Sequence, residues 1–80
     1  MKETRELVVD VLKKYTFNPQ VWETATDDSK IIDDLKINSA RVVDISLDIE
    51  DIFDIEVEDD ELEKLVSIKD ILLLLDKKIS

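Results

Sequence analysis

Apolar residues early in the chain recur at Leu7, Val8, Val11, Leu12 and Tyr15, the three-and-four spacing that lays one stripe along a helix. Glu3 and Glu6 stand early and Lys13 and Lys14 late, so the charges complement the helix dipole at both ends. The pattern predicts a helix from about Lys2 to Tyr15, ended by Asn18-Pro19. Thr24, Thr26, Asp27, Asp28 and Ser29 then form a polar stretch that reads as loop. A connection of about twenty residues is long for a small fold, so Val21, Trp22, Ile31, Ile32, Leu35 and Ile37 are expected to anchor it by plugging the core. The chain has no glycine, which leaves Asn18 as the expected residue for a left-handed helix cap.

A second helix is predicted from Ser39 to about Phe53. On a helical wheel Val42, Ile45, Ile49, Ile52 and Phe53 gather into one arc suited to burial. Ala40, Val43 and Leu47 fall on the opposite side, bordered by Asp44 and Asp51, while Asp48 and Glu50 add charge farther around. This second apolar face has no partner inside the predicted fold. Ile55 and Val57 alternate with Glu56 and Glu58 in an extended link, after which Asp59 or Asp60 is expected to cap a short helix through about Leu65, with Leu62 and Leu65 turned inward. Ser67 and Asp70 have the spacing of a capping box, and Val66 and Ile71 that of a hydrophobic staple, so a last helix should begin near Ile68. Its expected buried stripe is Ile68, Ile71, Leu72, Leu75 and Ile79, with Lys77 and Lys78 at the favourable C-terminal end. The pattern therefore predicts an all-α fold: a small four-helix bundle, three longer helices plus one short one, with a long first loop and no strand signal strong enough for a sheet.

Composition narrows what such a bundle can do. Eighty residues make one small domain, 1–80, that buries only about 60% of its unfolded surface. Apolar residues at 44% and charged residues at 40% suit a compact core under a highly solvated surface. There is no cysteine, hence no disulfide framework and no thiolate metal site, and any sulfur chemistry must arrive on a cofactor. Acidic residues outnumber basic ones 21 to 11, a net charge of −10 that argues against nucleic acid and for basic protein partners. Histidine is absent, which removes the usual general base, and a chain this short encloses little substrate space, so a self-contained enzyme is not expected. The N-terminal residues lack the apolar run of a signal peptide, and Ile71 to Leu75 is far shorter than a membrane span; a cytoplasmic monomer with no membrane insertion is expected. The acidic run from Asp54 to Glu61 lacks the central glycine and ligand spacing of a calcium loop, so no dedicated metal site is expected. Tyr15, Phe17, Trp22 and Phe53 read as core packing.

The chemistry concentrates at Ser39. Asn38 is among the better N-cap residues, because its side-chain oxygen can accept a backbone N–H of the first turn, and Ser39 then takes the first helical position. An anionic group attached there would meet unpaired N–H donors and the positive end of the dipole, so a phosphate ester on Ser39 is physically reasonable. The chain has no histidine or cysteine to build a hydrolytic triad around this hydroxyl.

Asp34-Leu35-Lys36-Ile37-Asn38-Ser39-Ala40 stands where the acyl carrier protein family usually has Asp-Leu-Gly, one variable residue, then Asp-Ser-Leu. Phe53-Asp54-Ile55-Glu56-Val57 matches that family's usual exit from the second helix, and the spacing continues through Glu63-Lys64-Leu65 into the last helix. The chain resembles the family over essentially its whole length. The resemblance implies a non-catalytic four-helix carrier whose serine, matched by Ser39, receives 4′-phosphopantetheine from coenzyme A through a separate, magnesium-dependent phosphopantetheinyl transferase. The arm would supply the missing thiol, hold an acyl or related carboxylic acid as a thioester, and present it to acyl-transferring or acyl-modifying enzymes with basic docking patches. Asn38, Ala40, Val43, Asp44, Leu47 and Asp51 are the expected partner-binding residues.

Three departures point to a specialised member, in a fatty acid, polyketide or lipid pathway. Asn38 replaces the aspartate before the serine, Ala40 the leucine after it, and Lys36 the glycine. Asn38 still caps the helix but removes a charge from a place that resembles a transferase recognition point, and Ala40 shrinks an exposed apolar contact. The residues leave a second reading open: an unmodified acidic interaction module that keeps the carrier architecture.

Overall fold

Helix α1 (Thr4–Lys14) buries Val8, Val11 and Leu12 in the computed structural model, which describes residues 3–79. The expected start at Lys2 lies outside the described residues. The end of α1 is closed without glycine: the Tyr15 N–H donates to the Leu12 carbonyl at 3.1 Å and the Thr16 hydroxyl to the same oxygen at 2.8 Å, so local donors satisfy a carbonyl that the helix end would leave orphaned. Asn18 is not left-handed. Its backbone is extended, and its side chain accepts the Gln20 N–H at 3.0 Å to cap a 3₁₀ turn, Pro19–Glu23, in which proline occupies a position that needs no donor.

The left-handed residues are instead Lys36, with φ 58°, and Asp54, with φ 53°. Asp54 closes helix α2 (Val42–Phe53), and the next N–H, of Ile55, donates back to the Glu50 carbonyl at 3.2 Å. Aspartate is one of the few non-glycine residues that visit this region readily.

Helix α3 (Asp59–Leu62) is shorter than the pattern predicts and ends at Leu62 rather than Leu65. Its cap is Glu58, not Asp59 or Asp60: the Glu61 carboxylate reaches back to accept the Glu58 N–H at 3.1 Å. Helix α4 (Ile68–Ile79) begins where expected. The Ser67 N–H donates to the Asp70 carboxylate at 3.0 Å and the Asp70 N–H to the Ser67 hydroxyl at 3.3 Å, the reciprocal box read from the sequence.

Val8, Leu12, Ile45, Ile49, Ile68, Ile71 and Leu75 form the centre of the core, and the loop between α1 and α2 contributes Ile31, Leu35 and Ile37 to it, all three nearly inaccessible. Loop and α4 are laced together by backbone bonds. Ile31 donates to Val66 at 2.8 Å, Ile68 to Ser29 at 3.2 Å and Lys69 to Asp27 at 2.7 Å, so the first N–H groups of α4 find their acceptors in the loop. Among the described residues no strand forms, and Lys30 and Ser67 make an isolated antiparallel bridge.

Several expected core residues stand outside it. Ile32 is exposed because the tight turn that sends Ile31 and Leu35 inward points their neighbour out. Ile52 is exposed because the buried arc of α2 is narrow, made of Ile45, Ser46 and Ile49, with the Ser46 hydroxyl satisfied by the Val43 carbonyl at 2.7 Å. Ile79 is exposed and Leu74 buried in its place, since the inward stripe of α4 runs through Ile71, Leu74 and Leu75 to Lys78, whose ammonium meets Glu61 at 2.8 Å. Tyr15, Trp22 and Phe53 pack against the core as expected, but Phe17 is 98% exposed, just beyond the end of α1.

Candidate functional site

The turn at Lys30–Ile37 sets the entry to α2. Asp34 and Leu35 both donate their N–H groups to the Lys30 carbonyl at 3.0 Å, the Asp34 carboxylate accepts the Lys30 N–H at 2.8 Å, and Ile37 donates to Ile31 at 3.2 Å. Lys36 turns left-handed between two buried anchors, Leu35 and Ile37, and the chain leaves the core at Asn38. Ser39 follows on the surface, exposed, as the first residue of a 3₁₀ turn, Ser39–Arg41, that runs directly into α2. The Asn38 side chain accepts the Ala40 N–H at 2.9 Å, and its carbonyl accepts the Arg41 N–H at 2.8 Å. The capping read from the sequence is therefore present, although the first turn is 3₁₀ rather than α.

Ala40, Val43, Leu47 and Asp51 are exposed and Asp44 half-buried, and their spacing strings them along one side of α2. Val43 and Leu47 are 50% and 56% exposed, in the same range as the other surface aliphatics Val66, Leu73 and Ile79. Asp44 is not open charge: the Arg41 guanidinium pairs with it at 3.0 Å, one turn along the helix. Asn38 lies before this row, at the cap.

Two acids that the wheel places farther around α2 turn inward to intramolecular work. Asp48 accepts the Tyr15 hydroxyl at 2.6 Å and the Lys14 ammonium at 2.9 Å, tying the end of α1 to α2. Asp48 is held below the usual carboxylate range by the Tyr15 hydrogen bond first and the Lys14 bond second. The same contact pushes the Tyr15 phenol up to about 12, because losing its proton would place an anion against the carboxylate, and burial adds to the effect. Glu50 accepts the Val57 N–H at 2.8 Å and so pins the extended link. Neither role is visible in helical periodicity, since each partner lies on a different element.

Two clefts flank the α2 entry. One, about 420 Å³, is lined by Lys14, Tyr15, Thr16, Phe17, Asn38 and Arg41. The other, about 260 Å³, is more apolar and includes Ile32, Val42, Leu62, Leu65 and Val66. Among the described residues no cluster of acids assembles a metal site, and no helix is long and apolar enough to cross a membrane.

No family model matches the chain. Individual proteins do. The acyl carrier protein of Campylobacter concisus (strain 13826) is 37% identical over 76 residues, covering 95% of this chain and 91% of that protein. That of Campylobacter hominis is 40% identical over 70 residues, 88% of this chain and 81% of its own. The chain belongs to the acyl carrier protein family. A more distant organism supports the same assignment: the acyl carrier protein of Akkermansia muciniphila is 34% identical over 76 residues, 95% of this chain and 88% of the relative.

Membership of the acyl carrier protein family supports a carrier function in general and agrees with the helical architecture. It also gives Lys36 a physical meaning. The family motif usually has glycine at this point, and here the backbone retains the left-handed turn with a lysine in it.

Proposed function

We propose that the chain is a non-catalytic carrier, a single domain, that holds acyl or related carboxylic acid intermediates on a 4′-phosphopantetheine arm esterified to Ser39. An exposed hydroxyl at the entry to α2, in a member of the acyl carrier protein family, is the observation that carries this reading. The residues around the hydroxyl suit the group. Asn38 caps the turn through its side chain, no acidic residue lies between Ile37 and Val43 to repel a phosphodiester, and Arg41 adds a cation two positions on. The arm would supply the thiol that the chain lacks, holding cargo as a thioester.

The chain's own part is to present and be recognised. Asn38, Ala40, Val43, Asp44, Leu47 and Asp51 form the partner face, with Val43 and Leu47 as the apolar contacts and the acids steering enzymes that carry basic patches. Steering of this kind raises the encounter rate more than the affinity, which suits a carrier that must leave each enzyme after delivery. Asn38 and Ala40, in place of aspartate and leucine, point to a specialised fatty acid, polyketide or lipid pathway in the cytoplasm, served by a phosphopantetheinyl transferase that tolerates the uncharged cap.

Intact-mass measurement after incubation with coenzyme A, magnesium and a panel of transferases tests the assignment. One adduct is expected on the native chain and none on Ser39→Ala. An adduct that survives the substitution would overturn it, and no adduct with any transferase would favour an unmodified acidic interaction module.

A further inference from the structure

The two clefts beside the α2 entry differ in chemistry, and the difference bears on where an arm on Ser39 would lie. The cleft between the end of α1 and the Ser39–Arg41 turn contains two cations, two aromatic rings and no acid among its lining residues. In a chain with net charge −10 such a spot is unusual. Both cations keep donors to spare. Arg41 spends one guanidinium nitrogen on Asp44 at 3.0 Å, and Lys14 gives one bond to Asp48 at 2.9 Å, leaving further N–H groups on each for an anion. Phe17 exposes 98% of its surface at the same place, an apolar ring that covering by a non-protein group would remove from water. Ser39 itself does not line this cleft, but Asn38 and Arg41, which stand one and two positions from it on either side, both do, which puts the cleft within reach of an arm on the hydroxyl.

We infer that this cleft is a cradle for the near end of the arm, with Arg41 and Lys14 holding the phosphodiester and Phe17 packing against the branched aliphatic segment that follows it. The inference rests on Ser39 being the attachment point. It makes Lys14, Phe17 and Arg41 binding residues for the prosthetic group, and places that group on the α1 side of the α2 entry. The second cleft, where Lys30, Asp33 and Glu63 join five aliphatic side chains that include Ile32, Val42 and Val66, would remain open to the distal end and its cargo.

The full chain assembled by chemical ligation, with the arm already esterified to Ser39, tests the cradle without depending on any transferase. Failure of enzymatic loading would speak against the carrier reading alone. Nuclear magnetic resonance of the loaded and unloaded chains should show amide shifts at Thr16 and Phe17, far from Ser39 in sequence, and cross-relaxation between the Phe17 ring and the arm's geminal methyl groups. Phe17→Ala and Arg41→Gln, both at exposed positions and expected to leave helicity unchanged, should return the near end of the arm to the fast motion of free phosphopantetheine. Shifts confined to residues 38–42 with arm motion unaffected by Phe17→Ala, or methyl contacts to Ile32, Val42 or Val66 instead, would overturn the inference.

Discussion

Leu47 and Ile49 stand two positions apart on α2, yet one is 56% exposed and the other 1%. The helix has two apolar faces, and only one is consumed by the fold. Ile45 and Ile49 close onto α1, α4 and the plug residues Ile31, Leu35 and Ile37, where each fully buried aliphatic side chain contributes about 1.5–3 kcal/mol. Val43 and Leu47 contribute less of that kind, because half or more of their surface stays in water. Exposed aliphatics also occur elsewhere in the fold, at Ile32, Ile52, Val66, Leu73 and Ile79, so exposure alone does not single out Val43 and Leu47; what sets them apart under the proposed carrier function is their place in a row that starts beside Ser39.

The sharpest way to break this comparison is to remove each face in turn. Ile49→Ala should cost about 3 kcal/mol, from lost transfer energy and the cavity left in a core that can collapse only partly, read as a lower denaturation midpoint. Leu47→Asp should leave stability and helicity nearly unchanged while slowing loading several-fold by any transferase that accepts the native chain. If Leu47→Asp unfolds the protein, the outer face is structural and the distinction fails.

The two faces also differ in how well the sequence foretold them. Local pattern sufficed wherever a single element decides the outcome: the stripe of α1, the capping box at Ser67 and Asp70, the Asn38 cap and the outward side of α2 all stand as the spacing predicts. It failed where a second element decides. Ile52 and Ile79 have good helical spacing but lie past the edge of the packed surface, and Leu74 takes an inward place on the same side of α4 as Lys78, which meets Glu61. The wheel places Asp48 only as charge farther around α2, because its partners, Tyr15 and Lys14, are more than thirty positions away. The left-handed positions were missed for another reason. With no glycine in the chain, Lys36 and Asp54 fill conformations that residue type does not advertise, though the glycine usual in the family's motif at position 36 was a signal pointing to the first.

The clamp at Asp48 sharpens the contrast from the other side of α2, since it fastens the helix to α1 while leaving the outer face alone. Tyr15→Phe should cost about 1.5 kcal/mol near neutrality, the worth of a hydrogen bond to a charged group. The phenol has its pKa raised in the folded protein, so its contribution is complete below pH 10 and is lost as the pH climbs toward 12. Asp48 behaves oppositely: its pKa is depressed by folding, so the stability it adds is present above the ordinary carboxylate value of 3.8 and disappears as the pH falls through the lower folded value. The stability gap between the native chain and Tyr15→Phe should therefore stay flat across the neutral range and close at both extremes. A gap that persists unchanged at pH 12 would mean that the hydroxyl is not bonded to the carboxylate in solution.

The smallest expected effect concerns the turn that delivers Ser39 to the surface. A non-glycine residue in the left-handed region costs about 1–2 kcal/mol, and glycine would relieve that strain while adding entropy to the unfolded chain. Lys36→Gly should thus stabilise the protein by a net of about 0.5–1 kcal/mol. The same substitution removes a cation near the α2 entry without touching Leu35 or Ile37, whose burial fixes the turn. Lys36 then separates the two regions energetically. If Lys36→Gly raises the denaturation midpoint and leaves the loading rate at Ser39 as it was, the lysine is a conformational cost borne for some other contact. If the midpoint rises and loading slows, Lys36 belongs to the surface that partners read, and the strain is the consequence of placing a positive charge there. A fall in the midpoint would show that the left-handed turn at Lys36 is not the conformation adopted in solution.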